Sequence, residues 1–408
     1  MASTLIRNAN LATSNRKTWT WSGWIKKCQG SNYFWSSNNA SSNYSTMRFP
    51  SDRFNYYDYS SGSIQYQIKT NRLFRDNNAW YHIVLAYDTT QSTASDRIKL
   101  YVNGVQETSF TQATYPTQNY DSFVNVSGYN HNLGGEETGQ FDGLMSHVHF
   151  CDGTALAPTV FGSTDSTTGE WKINTSPSFT LGTNGYSILK DGNTITDQST
   201  NSNDFSLTSG TFTKSEDCPS SVFATFNSLD NYYPAMTLSY GNTRALTISG
   251  KYTYIPTTLG MTSGKYYAEI KCTAQSGSDN YMTIGITSTS TGATTHELGH
   301  YANDWGYHGA NGSYNNNDGT TSYGAAFTTG DIIGIAVDLD NNKLYFHKNG
   351  TYQNSGVPTS GSTGTGAISI TDPASTPRGA YFFAVNMWSG STTATFDANF
   401  GNGYFGTT

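Results

Sequence analysis

The chain has 408 residues, enough for two or three domains, because one hydrophobic core rarely outgrows about 250–300 residues. Charged residues make up only 12% while aromatics reach 14%, a balance that excludes a charge-rich disordered chain. The net charge is −7 and no basic run exceeds Lys26-Lys27, which excludes the basic footprint of a nucleic-acid binder.

What remains is an all-β expectation. Tyr, Phe, Trp and Thr suit pleated surfaces, and Gly, Asn and Ser suit the many turns between them. The segment Met1-Ala2-Ser3-Thr4-Leu5-Ile6-Arg7 has no apolar run of signal-peptide length. No stretch approaches the ~18–20 apolar residues of a membrane helix. The chain is therefore expected to be soluble and to bypass the standard secretory route. Cys28, Cys151, Cys218 and Cys272 fit neither a zinc module nor a dense disulfide scaffold and are read as free thiols. A Cys28–Cys151 bridge is the alternative.

The first region, 1–162, carries short alternating runs bounded by turn residues, the mark of antiparallel strands. They are Trp19-Thr20-Trp21-Ser22-Gly23-Trp24-Ile25, then Trp80-Tyr81-His82-Ile83-Val84-Leu85-Ala86-Tyr87, then Arg97-Ile98-Lys99-Leu100-Tyr101-Val102. Asn103-Gly104 predicts a tight hairpin, since both residues tolerate positive φ. Trp21 and Trp24 differ in parity and belong on opposite faces of a regular strand. A bulge at Gly23 that brings both rings inward is the favoured reading, and one outward ring the alternative.

These segments, with Phe141-Asp142-Gly143-Leu144-Met145-Ser146-His147-Val148-His149-Phe150, come in the order of the laminin G-like, concanavalin A-like sandwich, which residues 10–162 resemble. The tract Asp152-Gly153-Thr154-Ala155-Leu156-Ala157-Pro158-Thr159-Val160-Phe161-Gly162 resembles a branch of that family found in structural proteins of tailed phages. The family implies calcium or glycan binding at a sheet rim, but its metal ligands do not map onto residues here. Glu136 and Glu137 are adjacent and so diverge on a strand, which argues against the convergent carboxylates of a glucanase.

Region 163–235 is rich in Ser, Thr and Asn and is read as an ordered connector with short strands. Its Asp197-Gln198-Ser199-Thr200-Asn201-Ser202-Asn203-Asp204-Phe205 resembles a connector of the same phage proteins. The alternating oxygens suggest calcium, but Ser202 and Thr208 stand where an EF-hand needs Gly and Glu. A turn held by side-chain-to-backbone bonds is the stronger reading, so no cofactor is expected and calcium is the minor alternative.

Region 236–408 repeats the β pattern. In Asp331-Ile332-Ile333-Gly334-Ile335-Ala336-Val337-Asp338-Leu339, residues Ile333, Ile335, Val337 and Leu339 share a face. Leu344 and Phe346 do the same after the turn Asp340-Asn341-Asn342, which predicts a hairpin laid on a core. With Gly264-Lys265-Tyr266-Tyr267-Ala268-Glu269, Lys348-Asn349-Gly350 and Asn399-Phe400-Gly401, the stretch 250–405 resembles a SPRY domain, a fold that implies binding rather than catalysis.

Two candidate sites fall in this last region. His296-Glu297-Leu298-Gly299-His300 matches the zinc-protease pattern, which works only when both histidines share one helix face. Gly299 disfavours that helix, and a third ligand is missing, since Gly306 stands where a metzincin has His and no Glu follows Glu297. No metal and no enzyme activity are expected. The second candidate is a loop in which Tyr301, Trp305, Tyr307, Tyr314 and Tyr323 stand among Gly, Asn and Ser, as in sugar- or partner-contacting surfaces. Packing of these rings inside the sandwich is the competing reading.

The expectation is thus an all-β chain of two antiparallel sandwiches acting as a virion surface protein of a tailed phage, a tail fibre, adhesin or capsid decoration. It would be made in the host cytoplasm and displayed on the particle. Its partners would be other virion subunits, in a homo-oligomer, and host-surface glycans, with no nucleic acid and no membrane insertion. The alternatives are a cellular SPRY-type adaptor that binds a peptide and, last, a glycosidase or zinc hydrolase.

Overall fold

The computed structural model describes residues 4–7, 14–29, 33–39, 42–135, 139, 141–190, 195–210, 215–231, 235–277, 280–289, 296–388, 391–403 and 405. Among them there is no α-helix; the chain is strands, turns and short 3-10 turns. Glu136, Glu137 and Met1-Ala2-Ser3 lie outside the described residues. The chain divides into two compact units, Met1–Val222 and Phe223–Thr408.

The first unit is a sandwich. One sheet runs in the order Phe110–Thr114, Ser63–Thr70, Asn55–Ser60, Tyr44–Arg48, Tyr33–Asn38, Asn130–Leu133, Thr4–Arg7, Phe205–Ser209. The other runs Tyr186–Ile188, Asp142–Asp152, Thr18–Gln29, Tyr81–Asp88, Ile98–Val102, Val105–Gln106. Between them lies an aromatic core in which Trp19 stacks on Tyr87 at 4.8 Å beside Trp35, Tyr56 and Phe150. The Asn103-Gly104 turn forms as expected, with φ of 49° and 77° joining Val102 to Val105.

The segment 163–235 feeds both units. Tyr186–Ile188 pairs with the long strand Asp142–Asp152, and Phe205–Ser209 pairs with Thr4–Arg7, so each closes an edge of the first sandwich. Asp217 then plugs into this unit. Its carboxylate accepts from Lys26 Nζ at 2.5 Å and from Trp80 Nε1 at 2.9 Å, and Lys26 also donates to Asn78. From Phe226, which is fully buried, the chain belongs to the second core.

Trp21 and Trp24 correct one expectation. Strand Thr18–Gln29 keeps unbroken register with Tyr81–Asp88 through Gly23, so there is no bulge there against that neighbour. Trp21 faces the core, whereas Trp24 lies on the opposite face and stacks on His82 at 4.9 Å. Gly23 is glycine for a different reason: a Cβ there would stand 2.5 Å from the Trp21 ring, which needs that space. All four cysteines are free thiols, so Cys28 and Cys151 are not bridged.

The second unit is also a sandwich. Its larger sheet is ordered Thr237–Ser239, Arg244–Leu246, Ala394–Asn399, Lys265–Gln275, Ile332–Asp338, Lys343–Lys348, Thr351–Tyr352, with Ile368–Ser369 paired to Lys343–Lys348. Ile335 pairs with Phe346 and Val337 with Leu344, and all four are core residues, as the alternation predicted. The facing sheet is ordered Tyr252–Pro256, Phe382–Trp388, Met282–Thr287, Asp304–His308, Ser313–Asn316, Gly319–Ser322. This second sheet positions the site.

Candidate functional site

In the sheet just named, Met282, Ile284, Ile286, Trp305, Tyr307, Phe383, Val385 and Met387 point into the core. Strand alternation therefore sends Thr283, Gly285, Gly306, His308, Asn386 and Trp388 to the outer face. Register lines these up across strands: Tyr252 opposes Trp388, Thr283 opposes both Asn386 and His308, and Gly306 opposes both Gly285 and Asn315.

The glycines make a bed for the chain that crosses them. A Cβ on Gly306 would lie 2.7 Å from the Leu298 carbonyl oxygen and 3.2 Å from its Cγ, and a Cβ on Gly299 would meet Asn315 at 2.6 Å. So the His296–His300 segment lies directly on this face, and Leu298 is fully buried under it. The segment is a turn, not a helix. Gly299 has φ of 103°, outside helical space, and the His300 amide donates to the Glu297 carbonyl. The His296 and His300 rings stack face to face at 3.7 Å, and His300 Nδ1 donates to Asp318 at 2.5 Å. The zinc-protease geometry requires the two histidines one helical turn apart on one face, which this turn does not provide. Among the described residues no group of three His, Cys, Asp or Glu is placed to hold a metal ion.

Beside this turn is a cavity of about 560 Å³. It is lined by Tyr252, Tyr281 and Trp388, by the polar His308, Asn311, Asn315, Thr320 and Asp318, and by His296, Glu297 and His300 of the turn, with the His308 ring edge-on to Tyr281 at 6.1 Å. Trp388 packs against Tyr252 at 5.5 Å and edge-on to Tyr281 at 4.9 Å. Burial pushes the Glu297 carboxyl above its ordinary range, Asp318 adds to that, and His300 opposes it. Burial lowers His308 below its ordinary range, which disfavours the charged ring. Such a mixture of aromatic faces, carboxylates and polar hydrogen-bonding groups can hold a side chain or a short peptide.

The five aromatic candidates are not a surface cluster. Trp305, Tyr307 and Tyr323 are 4%, 0% and 6% exposed and sit in the core, so they offer no ring to a sugar or a partner. Tyr314 is half-buried against the same core. Tyr301 alone is exposed, at 36%, and stands edge-on to His300. The stretch expected to be a loop is three strands, and alternation in Asp304–His308 turns Trp305 and Tyr307 inward. Tyr252, Tyr281 and Trp388 were missed because each stands at a strand end. They are far apart in sequence and meet only through register.

A smaller cleft of about 300 Å³ lies on the other sheet of this unit around Tyr267, Glu269, His347 and Tyr352. The Gly350 amide donates to His347 Nδ1, which leaves the proton on Nε2 to donate to Tyr267 Oη at 2.6 Å; Tyr267 in turn donates to Glu269 at 2.7 Å. This relay is internally satisfied. In the first unit, Asp197 accepts from the amides of Ser187, Ser199 and Asn203 and from the Ser199 hydroxyl. The oxygen-rich stretch is thus a hydrogen-bonded turn, and those bonds occupy the carboxylate that calcium would need.

Comparison with known proteins gives the domains their families. Residues 3–161 match the concanavalin A-like lectin/glucanases superfamily, and residues 265–368 match the SPRY domain. The chain therefore carries a laminin G-like domain followed by a SPRY domain. Ran-binding protein 9 of Danio rerio is 42% identical over 89 residues, 21% of this chain and 14% of that protein. Ran-binding protein 9 of Homo sapiens is 42% identical over the same share of this chain and 12% of its own length. The chain thus spans a small fraction of these relatives. Among solved structures, the SPRY domain of human HERC1 is 16% identical with a TM-score of 0.34, covering 44% of this chain and 99% of that one.

These relatives correct the virion reading. The curated proteins similar to the SPRY region are cellular Ran-binding proteins of animals, and they back the cellular SPRY-type adaptor over a tailed-phage surface protein.

Proposed function

We propose that this chain is a cellular SPRY-type adaptor, a binding protein rather than an enzyme, whose second unit recognises a peptide segment of a protein partner. The observation that carries the reading is the cavity beside the His296–His300 turn, which Tyr252, Tyr281 and Trp388 line together with polar groups. Aromatic anchors rimmed by polar groups are what concentrates binding energy in recognition sites. The resemblance of the surrounding domain to SPRY modules supports a protein ligand.

A random peptide library displayed on yeast and selected against the full chain tests this. Selected peptides are expected to weaken by about tenfold or more on Trp388→Ala, the loss typical of an anchor residue. They should keep their affinity on Tyr267→Ala, in the smaller cleft. An empty selection, or peptides that bind the Trp388 variant unchanged, contradicts the reading.

A further inference from the structure

The lining of this cavity carries both carboxylates and aromatic rings. Among the described residues two carboxylates, Glu297 and Asp318, contribute to it, and neither Lys nor Arg does. Asp318 has a side chain 69% exposed, with one oxygen engaged by His300 and the other end open to solvent. Glu297 is half-buried in the turn that the glycine bed holds in place. Both carboxylates line the one cavity. In the same cavity, Trp388 and Tyr281 stand edge to face at 4.9 Å, and Tyr281 is 37% exposed.

We propose that this cavity receives an arginine side chain of the partner peptide, with its guanidinium held by Glu297 and Asp318 and its stem and flanking residues lying along Trp388 and Tyr281. This rests on the reading of the cavity as a peptide site. A guanidinium is planar, carries its charge at every working pH, and offers donors to two acceptors at once. Aromatic faces attract it further and cover its apolar stem. Lysine would present only a compact, strongly hydrated point charge, without the planar fork that engages two acceptors at once. A phosphorylated or acidic segment would meet the two carboxylates, with no Lys or Arg among the described lining residues and with His300 already paired to Asp318.

The test uses the full chain and the peptides recovered from the yeast-displayed library, resynthesised with each arginine replaced by citrulline, which keeps the shape and removes the charge. Binding is read by titration calorimetry. Arginine enriched at one position, weakening of about tenfold or more on the citrulline exchange, and a similar loss in a Glu297→Gln, Asp318→Asn variant are expected, since hydrogen bonds to charged groups are stronger than neutral ones. The citrulline and arginine peptides should then bind that double variant alike. Peptides that depend on Trp388 yet show no arginine preference, or bind equally well with citrulline, overturn the arginine assignment and leave the peptide site standing. Binding indifferent to Trp388 as well removes both.

Discussion

Replacing Gly306 with alanine displaces the recognition turn without removing a single side chain from the cavity. Gly306 lies within strand Asp304–His308, and its missing Cβ faces the Thr283 methyl at 2.3 Å, the Leu298 carbonyl at 2.7 Å and Leu298 Cγ at 3.2 Å. Thr283 is fully buried and β-branched, with little room to turn aside. The Leu298 carbonyl must therefore retreat to at least 3.4 Å, carrying Glu297 and His300 with it. One inserted methyl in a packed interior costs about 1–3 kcal/mol. Leu298→Ala approaches the same contact from the other side, with a loss of about 2–5 kcal/mol for a fully buried leucine. Urea unfolding should show both losses in the transition of the second unit, and peptide affinity should fall in both variants although every lining residue is retained. Unchanged stability and affinity in Gly306→Ala would refute the placement of the turn on the sheet.

Three further outcomes follow from the same contacts. Asp217→Ala leaves the fully buried Lys26 ammonium without this carboxylate and Trp80 Nε1 without this acceptor, so the first unit should lose about 3–5 kcal/mol in urea titration; Lys26→Met combined with Asp217→Leu should recover the part due to the ammonium and not the part due to Trp80. The Asp58 carboxyl, fully buried among Ser45, Tyr56, Tyr66 and the Phe123 amide, is raised to about 7 by desolvation against an ordinary 3.8. Its protonated form is the one the fold favours. The stability it contributes is therefore full below about pH 4 and lost as pH rises through 7, and Asp58→Asn should flatten that part of the pH profile. Elemental analysis of the purified chain should find no stoichiometric zinc; zinc lost on His296→Ala would contradict the turn geometry of that segment.

Local signals carried much of the architecture. Asn103-Gly104 announced its hairpin by residue type, and the alternation from Ile333 to Phe346 announced which side met the core. What escaped was non-local. Nothing in Tyr186–Ile188 or Phe205–Ser209 says that they complete sheets begun far earlier in the chain, because edge pairing depends on which backbone groups the rest of the sandwich leaves open. Gly23 looked like a bulge because a strand glycine often is one, yet the space it leaves is taken by the ring of Trp21 two residues away. Trp305 and Tyr307 were legible as core by parity once Asp304–His308 is a strand, but their Gly- and Asn-rich surroundings read as loop. The cavity itself could not be read, since Tyr252, Tyr281 and Trp388 become neighbours only through the register of three strands and the turns that bound them.

The most direct measurement is a crystal structure of the full chain with a peptide recovered from the library. The account predicts the peptide seated against the His296–His300 turn, one side chain reaching Glu297 and Asp318 and its flank lying on Trp388. A peptide bound on the Tyr267 cleft, or on the first unit, with the cavity empty would contradict it.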